Sequence, residues 1–315
     1  MIQLPLLVAL AAVTLVPQGQ HGDRIRVSLA SSAAAPQELL ATEPVEDGQT
    51  ARVRGRAVKS GAVKSGAVKS GAVKSGAVKS NARPTGKVEE ITFKTEDGQD
   101  LIGSFFPSKR PGRAPAALLV HDAGSDRTLF NKMAQSLQKH GFAVLSVDLR
   151  GHGSSVTEEY DWIKASDDTH ITTWAFAMRD LDAATRYLRS RGDVHTSNLS
   201  LVGVGAGAAL AVKYALRDEN ARAVVLVDPQ PEAFGYDMYR DVFDLGGLPT
   251  LIMAPKDDRR QAERLQAAAH RGNDGLEYVE FKVLKPKKDK GPLTDTRLPK
   301  EVSKFLRGEA MPQRK

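Results

Sequence analysis

Cysteine is absent from all 315 residues, which excludes disulfides, thiolate nucleophiles and sulfur-ligated metals. Aromatic residues are sparse at 6%, with only two tryptophans. Acidic residues are missing from positions 51–86, which carry Arg52, Arg54, Arg56, Lys59, Lys64, Lys69, Lys74, Lys79 and Arg83. These nine cations exceed the net charge of +7, so the rest of the chain is net −2. The basicity therefore belongs to one segment, and no specific nucleic-acid groove is expected elsewhere. What is present in quantity is apolar: a hydrophobic fraction of 41% suits a globular core of one or two domains.

The chain divides by composition. Residues 2–16 form an apolar run ending at Pro17, too short for a comfortable transmembrane span. This predicts a signal peptide over 1–20, with an uncleaved membrane anchor as the alternative, and hence export. The run has no Lys or Arg before it and no clean small-x-small cleavage site. Residues 21–86 lack periodicity and contain five copies of Ala-Val-Lys-Ser-Gly/Asn at 57–81. A period of five fits neither strand nor helix, and each copy offers too little apolar surface for a stacked core. The segment reads as a disordered cationic linker, a spacer with loose affinity for anionic surfaces as the functional alternative. Residues 87–310 form the globular part, and 311–315 a tail.

Within the globular part, strands and helices alternate. Val88–Thr95 and Leu101–Phe106 read as a hairpin about Gly98. Strands are predicted at Ala116–Val120, Phe142–Leu149, Leu199–Val202, Ala223–Val227, Pro249–Met253 and Leu276–Leu284. Helices are predicted at Leu129–His140, Trp174–Arg191, Ala208–Val212, Arg260–Arg271 and Pro299–Leu306. An antiparallel start followed by β-α units implies a mostly parallel sheet with helices on both faces.

Four segments carry a resemblance. His121-Asp122-Ala123-Gly124-Ser125 follows a strand. Asp148-Leu149-Arg150-Gly151-His152-Gly153-Ser154-Ser155 follows the next. Gly203-Val204-Gly205-Ala206-Gly207 sits between a strand and a small-residue helix. Pro249 to Asp258 forms a strand ending in Asp257-Asp258. In this order and spacing they resemble the α/β-hydrolase family, over about Val88 to Leu306. The resemblance implies an α/β-hydrolase fold, without a large cap domain because the stretch between Val227 and Pro249 is short.

The resemblance also implies where the chemistry would lie. Gly203–Gly207 takes the place of the Gly-x-Ser-x-Gly nucleophile elbow, and Gly205 stands where the serine would be. Asp258 takes the acid's position with Asp257 as rival, and helix N-capping explains the same pair equally well. Lys290 takes the place of the base, since no histidine follows His270. The backbone N–H groups of Ala123 and Ala206 would form the oxyanion hole. A glycine at the elbow also relieves the positive φ that the turn imposes.

Missing both serine and histidine, the chain is expected to be a catalytically degenerate hydrolase. It would bind a small molecule or peptide in the former cleft, or act structurally. The alternative is an active ester, lactone or peptide hydrolase with Ser125 or Ser154 as nucleophile and His121 or His152 as base. Structural roles are the plainer expectation for both histidines, and His170 and His195 read as surface residues. Nothing suggests a cofactor, and no His or acidic cluster has metal-ligand spacing.

Overall fold

The computed structural model describes residues 86–272, 278–287 and 291–309. The expected leader, the linker with its repeats and Lys290 lie outside these residues. So does the 311–315 tail.

The sheet opens with an antiparallel pair, β1 (Glu89–Lys94) and β2 (Asp100–Phe106). It continues through β3 (Ala114–Val120), β4 (Ala143–Val147), β5 (Val194–Val204) and β6 (Ala221–Val227). A two-residue pair, β7 (Glu232–Ala233) and β8 (Tyr236–Asp237), stands apart from it. The main sheet then finishes with β9 (Thr250–Pro255) and β10 (Val279–Leu284), in the spatial order β1-β2-β4-β3-β5-β6-β9-β10. From β4 to β10 every pairing is parallel. Parallel strands covered on both faces read as unbroken apolar runs, and all five residues of β4 are buried.

Helices α1 (Asn131–Lys139) and α6 (Leu298–Glu309) pack on one face. Helices α2 (Asp167–Ser190), α3 (Gly207–Ala215), α4 (Met238–Asp244) and α5 (Arg259–Arg271) pack on the other. The strand period of two divides the core between them. In β5, Leu199 and Leu201 face the α2 side, while Val202 and Val204 face the α1 side.

Beyond shifted ends, such as β5 starting at Val194 and not Leu199, two differences from the sequence reading stand out. Helix α2 starts at Asp167, seven residues before Trp174. Its N-cap is Ser166, whose side chain accepts from the Thr169 N–H, and Asp167 and Asp168 favour the positive end of the helix dipole. The apolar stripe begins only at Thr173 and Trp174, so hydrophobic periodicity marks where burial starts and not where the helix does. The stretch between β6 and β9 is not a bare connection either, since it holds the β7–β8 pair and α4. It forms no cap domain.

The loop after β4 is fixed by buried charge. Arg150 donates through Nε (2.9 Å) and Nη2 (2.7 Å) to Asp180 of α2, and its backbone N–H donates to the same carboxylate. Asp148 accepts from the backbone N–H groups of Arg127 (2.7 Å) and Ser154 (2.8 Å) and pairs with the Arg127 guanidinium. These bonds hold His152 over the end of the sheet.

Candidate active site

The turn from β5 into α3 lies at the carboxyl end of the central strand, where open α/β sheets place their sites. Gly205 takes φ +56° there. Its N–H donates to Val227 O (3.0 Å), and its carbonyl accepts from Gln230 N–H and from Ala208 N–H. The flanking glycines permit close approach: a Cβ on Gly203 would meet Ala208, and one on Gly207 would meet the His121 carbonyl. The small-residue helix is thereby pressed against β3 and β5.

A Cβ on Gly205 would fall inside the carboxylate of Asp122. That carboxylate is not loosely placed. Its Oδ1 accepts from the Ala206 N–H (2.8 Å) and the Ala123 N–H (2.9 Å). These are the two N–H groups that the family resemblance assigns to the oxyanion, and they converge on one carboxylate oxygen of the chain itself. One side chain thus occupies both N–H donors and the space that a side chain on Gly205 would need. Nothing in the sequence marks Asp122 for this role, because its contact with Ala206 spans 84 positions.

Burial raises the pKa of Asp122 above the ordinary carboxylate value, outweighing the two N–H bonds that favour its anion. An acid whose folded pKa is raised binds protons more readily folded than unfolded, so its ionisation lowers stability as pH rises. Asp122→Asn keeps an oxygen acceptor for both N–H groups and removes the charge. It is expected to raise the melting temperature at pH 7, with the gain shrinking towards pH 4. Thermal unfolding at the two pH values checks this, and an unchanged or lowered melting temperature at pH 7 contradicts it.

Three further carboxylates lie at the same end of the sheet. Asp228 follows β6 with φ +49°, unusual for a residue other than glycine. Its pKa is pushed up to about 6, first by burial and then by the charges of Asp258 and Asp122. The sequence pattern did not single it out, because its strain and its neighbours arise only from the fold. Asp258 and Asp257 are exposed. Asp258 occupies the N-cap position of α5 but makes no side-chain cap bond, so the capping expectation is not met there. Among the described residues, no three His, Asp or Glu side chains gather as a metal site.

His121 and His152 are wholly engaged. The Leu149 N–H points at His121 Nε2 (3.0 Å), and Nδ1 meets the Asp122 carbonyl (2.7 Å). The Gly124 N–H points at His152 Nε2 (3.1 Å), and Nδ1 meets the Arg150 carbonyl (2.9 Å). Each ring must therefore be neutral, with its proton on Nδ1 and its lone pair already accepting a backbone N–H. Burial, the largest cause for both, lowers each to about 4. The lone pair a general base needs is already committed in both rings.

The candidate serines have other partners. Ser154 is exposed and its Oγ accepts from Arg127 (3.0 Å), while Ser125 donates its backbone N–H to the Asp122 carbonyl. Among the described residues, no serine hydroxyl is hydrogen-bonded to a histidine ring. His195 is exposed as expected, whereas His170 is half-buried and stacks on Trp162 with centroids 4.0 Å apart. That stacking depends on the chain folding back over α2, which neighbouring residues in sequence do not reveal.

The sheet order, the elbow turn and the converging N–H pair define an α/β-hydrolase scaffold. The model of the alpha/beta hydrolase family matches residues 117–301, and the chain belongs to that family. An uncharacterized Mycobacterium tuberculosis protein is 30% identical over 146 residues, 46% of each chain. A thiohydrolase of Aspergillus aculeatus is 29% identical over 158 residues, 49% of this chain and 45% of its own length. The chain thus spans about half the length of the curated relatives it matches. Among solved structures, a dienelactone hydrolase of Anabaena variabilis superposes with TM-score 0.56 at 18% identity, covering 71% of this chain and 99% of its own. An esterase of Pyrococcus furiosus gives TM-score 0.55 at 16% identity, covering 71% and 92%.

Proposed function

We propose that this family member does not hydrolyse acyl bonds and acts by binding a small molecule or peptide beside the old elbow, or structurally, after export to the cell envelope. The observation that carries the reading is the Asp122 carboxylate. It lies in the seat where an ester's carbonyl oxygen would have to enter, and it fills the space above Gly205. Acyl transfer depends on donors aimed at the developing oxyanion and on a nucleophile paired with a base. Here the donors are satisfied by the chain, the elbow carries no side chain, and both nearby imidazoles have committed lone pairs. The cationic repeats would serve as a spacer at the envelope.

The test uses purified full-length protein with a fluorophosphonate probe and a panel of short-chain esters, a thioester and a dienelactone, chosen from the chemistry that the relatives' names state. No labelling and no turnover above the uncatalysed rate are expected. Turnover or labelling that disappears in the Ser125→Ala, Ser154→Ala double variant would establish the alternative, an active hydrolase with a nucleophile off the elbow.

A further inference from the structure

Beside the elbow, five rings pack into one cluster. Trp162 lies between His152 (4.5 Å between centroids) and His170 (4.0 Å). Trp174 and Phe234 close the group, at 5.5 and 5.2 Å from Trp162 and 5.4 Å from each other. The cluster adjoins the oxyanion loop, since a Cβ on Gly124 would stand 3.5 Å from Trp162 Nε1.

Two features set it apart from an ordinary core. Trp174 is fully buried and its Nε1 has no hydrogen-bond partner. A buried donor left unpaired costs roughly 1–3 kcal/mol, and such groups are rare in native proteins. Phe234, the ring over Trp162 and Trp174, takes φ +48°. A bulky residue in the left-handed region is a genuine outlier, costing on the order of 1–3 kcal/mol. Phe234 sits at the tip of the β7–β8 pair, whose strands are two residues each. Asp228, the other non-glycine residue with positive φ among the described residues, lies six positions back on the same segment. Strain is therefore held at both ends of a short segment that seats one aromatic ring against the indole of Trp174, whose N–H is unpaired.

We propose that this cluster is a receptor for a flat, uncharged heteroaromatic ligand, with Phe234 as the resident ring that such a ligand replaces. The ligand's ring takes the place of Phe234 against Trp162 and Trp174, and an acceptor atom on it receives the Trp174 Nε1–H. Displacing Phe234 releases the left-handed strain, and pairing the indole N–H removes the cost of the orphaned donor. The nearby carboxylates Asp122 and Asp228 disfavour an anionic ligand. The proposal takes from the preceding reading only that the cleft binds.

The chain has just two tryptophans, both in this cluster, so an amide spectrum of ¹⁵N-labelled full-length protein carries two indole signals that report on it. The Trp162→Phe variant identifies the signal of Trp174. Quinoline, which has a ring nitrogen acceptor and no scissile bond, is the probe, and naphthalene is its counterpart without an acceptor. Quinoline is expected to move the Trp174 indole N–H downfield in a saturable manner, and naphthalene to bind more weakly without that shift. Phe234→Gly removes both the covering ring and the strained backbone, and is expected to tighten quinoline about tenfold. Phe234→Asn, which also tolerates the left-handed region, serves if the glycine variant fails to fold.

Quinoline leaving both indole signals unmoved in the wild type and in the Phe234 variant would overturn the proposal. Equal shifts with naphthalene would overturn the hydrogen-bond assignment. Ester turnover would sink the non-hydrolytic reading and leave this one standing, whereas failure of quinoline binding would do the reverse.

Discussion

Replacing Gly205 with serine lowers the free energy of unfolding by about 3–5 kcal/mol, and the same replacement made in an Asp122→Ala background costs about 2 kcal/mol less. The loss has two sources. A left-handed conformation at a residue other than glycine costs on the order of 1–3 kcal/mol, and Gly205 holds φ +56°. The new Cβ also evicts the Asp122 carboxylate. Eviction leaves the Ala123 and Ala206 N–H groups without their acceptor, and each buried orphan is worth about 1–3 kcal/mol. With Asp122 already truncated, only the backbone penalty remains. A double-mutant cycle in urea is therefore expected to show a coupling of about 2 kcal/mol between positions 122 and 205. Strictly additive effects would mean that the carboxylate moves aside freely. The seat would then be open to a substrate, and the reading of this protein as non-hydrolytic would lose its main support.

Acid removes an even larger share of stability. His121 and His152 are 0% and 3% exposed, and both are held near a pKa of about 4 against an ordinary value of 6.5. A histidine depressed in the folded state binds its proton more readily when unfolded. Its contribution is complete above pH 6.5 and is lost as pH falls through 6.5 towards 4. A shift of this size corresponds to about 3 kcal/mol per ring. Asp228 and Asp122 work in the opposite sense, since their raised pKa values return stability as pH falls. Asp228 is only half-buried, so screening leaves it on the order of 1 kcal/mol. The histidines win. Between pH 7 and pH 4.5 the denaturation midpoint in urea is expected to drop by an amount equivalent to several kcal/mol. Nitrogen chemical shifts should show both rings neutral and protonated at Nδ1 throughout the folded range. A midpoint that holds steady across this interval would mean that the two imidazoles are not locked as described.

Much of the scaffold was legible before folding, for local reasons. Continuous apolar runs such as Ala143–Val147 mark strands covered on both faces. Gly203, Gly205 and Gly207 between an apolar strand and a run of alanines mark a tight turn, because only small residues let a helix sit so close to a sheet. The start of α2 was missed because Ser166 to Thr172 carries capping chemistry without an apolar stripe. The β7–β8 pair was missed because two-residue strands leave no periodicity to read.

The site divides along the same line. Sequence alone determined that the elbow carries glycine and that no imidazole follows His270, because these are matters of which residue occupies which position. Only the tertiary structure decided which side chains gather around that turn. The carboxylate of Asp122 meets an N–H 84 positions away, Trp162 and Trp174 come together under Phe234, and Asp228 acquires its neighbours from other strands. Such contacts depend on the crossing of a parallel sheet, which joins strand ends far apart in the chain, and no local pattern encodes which side chain will arrive opposite another.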